Sequence, residues 1–186
     1  MRGVLAACAA LAAAPASAAE TYVMEPAHCI PSFEFTHLGM TTQSGRFDRA
    51  RGTVTIDRAA RRGSIRYDVD TASLDMGTGT EGPESAGYQL FQVKRYPAIH
   101  FRSDNLYFDD AGRVVAAQGE LSLLGVTRPL TIWVSRFACS TRGGRHFCAA
   151  DVTATLNRSE FGMLQYIPAV SDEISISVPV EAYRQD

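Results

Sequence analysis

Hydrophobic and polar positions alternate with a period of two along most of this chain. Residues 32–37 (Ser-Phe-Glu-Phe-Thr-His), 53–57 (Thr-Val-Thr-Ile-Asp) and 64–70 (Ser-Ile-Arg-Tyr-Asp-Val-Asp) show it most clearly. Further runs lie at 99–103, 114–124, 130–137, 147–157 and 173–183. Such alternation turns one face inward and one to water, which predicts β-strands. Turn-forming residues separate the runs at 48–52, 61–63 and 109–112, at Gly125 and at Gly143-Gly144. About eight short strands in one domain predict an antiparallel all-β barrel or sandwich, and a barrel has the advantage of leaving no open sheet edge. Only residues 83–93 predict a helix. It is short, with Pro83 at its first position and Leu90, Phe91 and Val93 turned inward.

One strand does not follow the simple pattern. Cys148 shares a face with Ala150, Val152, Ala154 and Leu156, so Cys139 opposite it belongs inside with Phe137, Ser135 and Trp133. Leu130, Ile132 and Val134 have the other parity. Either a bulge near Ser135-Arg136 exchanges the two faces, or an apolar patch points outward.

The ends and the composition then narrow the setting. Arg2, an apolar run from Val4 to Ala14 and the small residues Pro15, Ala16, Ser17, Ala18 and Ala19 form a secretory signal pattern, which predicts a signal peptide over residues 1–19 and one domain over 20–186. The apolar run is too short to span a bilayer. Leu5-Ala6-Ala7-Cys8 resembles a lipoprotein processing site, but too few apolar residues precede Cys8 for a signal core. Acidic side chains (20) outnumber basic ones (18), for a net charge of −2, which argues against nucleic acid or an anionic membrane as the main partner. In an exported chain Cys29, Cys139 and Cys148 meet an oxidising compartment. A two-residue turn at Gly143-Gly144 places Arg142 opposite Arg145, Thr141 opposite His146, Ser140 opposite Phe147 and Cys139 opposite Cys148. The cysteine pair falls at a non-hydrogen-bonded site, where the Cα atoms lie close, and predicts a disulfide. Cys29 is left as a buried small hydrophobe.

Catalytic signatures are weak. Gly77-Thr78-Gly79-Thr80-Glu81-Gly82 matches a dinucleotide-binding pattern, but Pro83 follows and no second parallel strand completes the unit, so it reads as a loop. His28, His37, His100 and His146 form no metal-ligand spacing, and no nucleophile elbow is present. Asn157-Arg158-Ser159 fits a glycosylation sequon, a frequent chance match. The enzyme reading therefore lacks a constellation, and no metal and no required cofactor are expected. What remains is a large apolar interior, which in a barrel of about eight strands is either plugged by side chains or holds one ligand, and periodicity alone does not separate the two.

Four segments resemble the YceI-like family of periplasmic proteins. They are residues 22–28 with 33–40 and 45–47; residues 94–103 (Lys-Arg-Tyr-Pro-Ala-Ile-His-Phe-Arg-Ser); residues 119–130 (Gly-Glu-Leu-Ser-Leu-Leu-Gly-Val-Thr-Arg-Pro-Leu); and residues 157–163 (Asn-Arg-Ser-Glu-Phe-Gly-Met) with 172–174. The resemblance implies an extended lipocalin-like antiparallel barrel of about eight strands that holds a long isoprenoid lipid, of polyprenyl or quinone type, as carrier or reservoir. Transient contact with a membrane, or with a membrane quinone or cytochrome protein, would follow. The protein would be periplasmic or secreted, and monomeric or homodimeric. The alternatives are a filled barrel acting as a stress-associated interaction module, or a quinone-linked redox accessory. The apolar pocket would draw on Phe33, Phe35, Phe47, Val54, Ile56, Tyr67, Leu90, Phe91, Phe101, Leu121, Leu123, Ile132, Phe161 and Met163. Gly125, Pro129 and Gly162 would set turns, and Arg158 and Glu160 would cap or pair at a barrel end. The sequence departs from the family at residues 84–92, where Gln89 and Gln92 stand in place of carboxylates.

Overall fold

The structure is a computed structural model that describes residues 19–185 except 78, 80, 81, 83 and 84. The predicted signal peptide lies outside the described residues apart from Ala19. So do Cys8, Pro83, Glu84 and much of the Gly77-to-Gly82 loop.

In chain order the elements are β1 (Glu20–Met24), β2 (Ser32–His37), β3 (Thr41–Phe47), β4 (Ala50–Asp57), β5 (Arg62–Asp70), β6 (Leu74–Asp75), α1 (Ala86–Leu90), β7 (Ala98–Phe108), β8 (Val114–Leu123), β9 (Val126–Arg142), β10 (Arg145–Asn157) and β11 (Glu173–Arg184). Strands β1, β4, β5, β7, β8, β9, β10 and β11 pair antiparallel in that order, and β11 returns to β1 through Tyr22↔Arg184, Val23↔Tyr183 and Met24↔Ala182. The result is a closed eight-stranded antiparallel barrel. One edge of β11 is shared: its last residues pair with β1 and its residues 175–177 pair with β2. From there β2, β3 and β6 extend the sheet past the point of closure.

The strand count matches the alternation, but the staves are not all the runs that alternate. Residues 32–37 form β2, which lies in the extension, whereas β1 closes the barrel. Strand β1 has five residues and a half-exposed Val23 between buried Tyr22 and Met24, so its alternation is too short and too apolar to register. Strand β3 carries almost no apolar residue and is held by its backbone ladder to β2. The helix is shorter than residues 83–93. It starts at Ala86, with Ser85 Oγ accepting the Tyr88 amide as N-cap, and Val93 beyond its end is buried.

The parity conflict in β9 resolves as a bulge. Ser135 pairs with Asp151 and Ala138 with Ala149, so Arg136 and Phe137 oppose the single residue Ala150. Arg136 takes a positive φ of 49°. The extra residue brings Leu130, Ile132, Val134 and Phe137 to one interior face and leaves Trp133 outside. Past the bulge, Cys148 stands opposite Cys139, and the two form a disulfide with Cα atoms 4.0 Å apart. Gly143 and Gly144, at φ 57° and 79°, make the turn between them.

A second bulge lies in β7. Ser103 and Asp104 oppose Gly119 alone, and Ser103 Oγ donates to the Gln118 carbonyl while accepting the Asn105 amide. A Cβ at Gly119 would overlap the Arg102 carbonyl oxygen and crowd Ser103 Cβ and Phe101 Cζ. Gly119→Ala is accordingly expected to cost about 1–3 kcal/mol, read as a lower urea midpoint at unchanged slope.

Candidate functional site

The barrel is hollow. Inward residues of every stave surround a cavity of about 380 Å³. This falls within the range of small-molecule sites, roughly 300–1,000 Å³. Its wall is aliphatic along β4, β5, β8, β9, β10 and β11 and aromatic towards one end. There Phe33 of β2, Phe47 of β3 and Phe91 after α1 pack together, with ring centroids 5.8 Å (Phe33–Phe47), 6.2 Å (Phe33–Phe91) and 5.2 Å (Phe47–Phe91) apart. Edge-to-face and tilted rings of this kind form a rigid apolar surface at little rotamer cost. The sheet extension and the helix thus serve the site by bringing these rings over one end of the barrel.

The buried polar side chains at the wall are already engaged. Tyr67 Oη donates to the Cys29 carbonyl at 2.6 Å, and Tyr22 Oη donates to Glu20 at 2.9 Å. Burial, with the Cys29 thiol nearby, pushes the Tyr67 phenol well above its ordinary pKa, so it remains a neutral donor. Cys29 is fully buried and its thiol is likewise raised, mainly by burial, which keeps it protonated and unreactive. Among the described residues, no buried side-chain nitrogen or oxygen lacks a hydrogen-bond partner. The cavity can therefore select an occupant chiefly by shape and apolarity, with its buried polar atoms already paired.

Of the residues expected in an apolar pocket, all but Phe161 line this cavity. Phe161 is buried in the surrounding core but lies in the 3₁₀ turn Arg158–Phe161, where the strand parity rule does not apply. The wall also includes Tyr22, Met24, Ile65, Val69, Phe137 and the row Ile174, Ile176, Val178 and Val180 of β11. The β11 row was visible in its alternation. Met76, Tyr166 and Val170 come from loops and carry no periodic signal. In the divergent 84–92 segment, Leu90 and Phe91 face the cavity, whereas Gln89 and Gln92 are exposed.

Arg158 seals the same end. It is buried, and its guanidinium donates to the carbonyls of Ser171 (Nε, 2.9 Å), Met163 (Nη1, 3.0 Å) and Val170 (Nη2, 3.1 Å). Asp172 accepts from the Ser159 amide at 2.8 Å and from Ser159 Oγ at 2.6 Å. The quoted motifs meet here: Arg128 donates to the Glu160 carbonyl, and Gly125, at φ 76°, lies against the Tyr96 ring where a Cβ would collide. The bonds from Ser159, against a small opposing effect of burial and with help from the Arg158 charge, hold the Asp172 carboxyl below its ordinary pKa. A lowered folded pKa stabilises the fold above the unfolded value of about 3.9, and that contribution is lost as pH falls through the folded value. Asp172→Asn should therefore be least stable relative to the parent near neutral pH, with the difference narrowing towards pH 3 in urea titrations.

Two of the histidines meet carboxylates. His100 Nδ1 bonds Asp68 at 2.6 Å on the outer wall, beside Arg102, and His28 lies 3.4 Å from Glu181. Among the described residues, no group of three or more His, Cys, Asp or Glu is placed to hold a metal ion.

A family model described as the YceI-like domain matches residues 22–182. A UPF0312 protein of Pseudomonas putida (strain W619) is 29% identical over 183 residues, covering 94% of this chain and 92% of that protein. A UPF0312 protein of Azotobacter vinelandii is 27% identical over 182 residues, covering 95% and 93%. The fold is similar to Burkholderia cenocepacia BcnA (TM-score 0.67, 21% identity, 85% of this chain and 98% of that one). It is also similar to a polyisoprenoid binding domain from Saccharophagus degradans implicated in plant cell wall breakdown (TM-score 0.64, 12% identity, 88% and 98%).

Proposed function

The chain belongs to the YceI-like family, and on that premise we propose that it is an exported binding protein that holds one long isoprenoid lipid, of polyprenyl or quinone type, in its barrel as carrier or reservoir. The observation that carries this reading is the wall of the cavity, which is almost wholly apolar and has its buried polar atoms already hydrogen-bonded. A branched hydrocarbon chain needs nothing more from such a site. The polyisoprenoid binding domain with the same fold supports this ligand class. The Cys139–Cys148 disulfide suits the oxidising compartment to which the N-terminal pattern would deliver the chain.

Energetics favour exchange over capture. Each buried methylene is worth about 0.8 kcal/mol relative to water, so a five-carbon isoprene unit approaches 4 kcal/mol. Five units would reach about 20 kcal/mol before ordering costs, close to the ceiling for noncovalent binding. The lipid's actual alternative is a membrane, which buries the same chain. Transfer between membrane and barrel is then close to balanced, as a shuttle requires, and no chemical step is needed.

The test is solvent extraction of the natively purified protein followed by mass spectrometry. An isoprenoid lipid in near-stoichiometric amount is expected. A barrel that is repeatedly empty, and that takes up no apolar fluorescent probe, overturns the proposal.

A further inference from the structure

Large apolar side chains exposed on this protein are not evenly spread. Leu38 (55% exposed) and Met40 (76%) form the tip of the β2–β3 hairpin, and Leu164 (62%), Tyr166 (65%) and Ile167 lie in the loop before β11. These two segments are far apart in sequence but bonded to each other. The Leu38 amide donates to the Ala169 carbonyl at 2.6 Å, the Ser171 amide donates to the Thr36 carbonyl at 2.9 Å, and His37 forms a β-bridge with Val170. The others, Val23, Tyr107, Val115 and Trp133, sit on staves, where singly exposed apolar residues are ordinary.

Two further facts identify what the patch faces. Residues 38–45 and 162–171 contain no Asp, Glu, Lys or Arg, in a chain of which 20% is charged. The exposed large apolar side chains are Leu, Met, Ile and Tyr, with Thr, Ser and Gln between them. The patch is also continuous with the cavity: Met163, Tyr166 and Val170 of the same loop, with Phe35 of β2, belong to its wall. An uncharged exposed surface that leads into an apolar chamber, with the Arg158 charge beside it already buried and bonded to backbone carbonyls, fits the interfacial layer of a bilayer, where Tyr is favoured at headgroup depth.

We propose that the β2–β3 tip and the 162–171 loop form a membrane-docking rim, which inserts Leu38, Met40, Leu164 and Ile167 among lipid headgroups so that a chain passes between bilayer and cavity without crossing water. This deepens the lipid-binding reading and rests on it.

The experiment uses the purified protein and vesicles of phosphatidylethanolamine and phosphatidylglycerol. The chain has a single tryptophan, Trp133, on the outer barrel wall, so a depth probe can be moved. In the parent, brominated lipids should leave the emission unchanged. In a Trp133→Phe, Met40→Trp variant they should quench most of it. Met40→Glu with Leu164→Glu should weaken vesicle flotation about tenfold or more, the loss of two inserted apolar side chains. Trp133→Glu should float as the parent does. Met40→Ser with Leu164→Ser serves if the charged pair fails to fold. Absence of quenching at position 40, or flotation unaffected by the rim variants, overturns the rim. So does a parent dimer that the rim variants dissociate, since the patch would then face a second copy. Uptake of an apolar fluorescent probe without vesicles separates the two readings. If uptake persists while the rim tests fail, the rim alone is wrong. If uptake is absent while the parent floats, the ligand is wrong and the docking surface stands.

Discussion

Arg158→Met is expected to lower the unfolding free energy by about 4 kcal/mol, a large share of the roughly 5–15 kcal/mol that holds a domain together. Arg158 is only 3% exposed and donates to three backbone carbonyls, of Ser171, Met163 and Val170, in the segment that connects β10 to β11. Each hydrogen bond from a charged donor is worth about 1.5–3 kcal/mol, and a buried carbonyl left without a partner carries its own desolvation penalty. Methionine keeps the aliphatic stem and removes the cost of burying a guanidinium, which brings the net loss to the lower end of that sum. For a chain of this size the melting temperature should fall by roughly 8–16 °C. Arg158→Lys should be intermediate, because an ammonium is a point charge and not a fork that spans three acceptors. A methionine variant within about 1 kcal/mol of the parent would show that these carbonyls find water or other partners, and that the knot is not what closes this end.

Ala154→Trp should abolish tight binding of apolar chains while leaving the protein folded. Ala154 lies on β10 with its small side chain on the cavity wall. An indole there projects into the space that a ligand would occupy, and a cavity of about 380 Å³ has little to spare. Displacing only four methylenes of ligand costs about 3 kcal/mol, more than a hundredfold in Kd. Filling a void adds contacts, so thermal stability should hold or rise, in contrast to Arg158→Met. The two substitutions therefore separate the wall from its seal: one should lose ligand and keep stability, the other lose stability first. An apolar probe titrated into both variants, alongside thermal unfolding, gives the comparison. If Ala154→Trp binds the probe as the parent does, the chain of the ligand lies elsewhere.

His100 is tied to Asp68 on the outer wall, a contact between β7 and β5 that no local pattern in the sequence announces. The hairpin shows the reach of local rules at its best: Gly143-Gly144 needs positive φ at both positions, which sets the register outward from the turn as far as Cys139 and Cys148. Such rules stop at Phe161, whose backbone is a 3₁₀ turn and whose side chain packs into the core.

By itself the sequence determined the all-β class, the strand runs of β2, β4, β5 and β7 to β11, and the Cys139–Cys148 pairing. All of these follow from rules that act over a few neighbours: period-two alternation, turn dihedrals and cross-strand counting. Only the tertiary structure decided which strands close the barrel, with β1 completing it and β2 extending it, because closure depends on the far end of β11 dividing its edge between them. It also decided that the β9 conflict is a bulge at Arg136-Phe137 and that the interior is hollow. It brought an uncharged tip at 38–45 against an uncharged loop at 162–171. Those features depend on distances between residues far apart in the chain, and a pattern of inward and outward positions contains the direction of each side chain but not how far it lies from the one across the barrel.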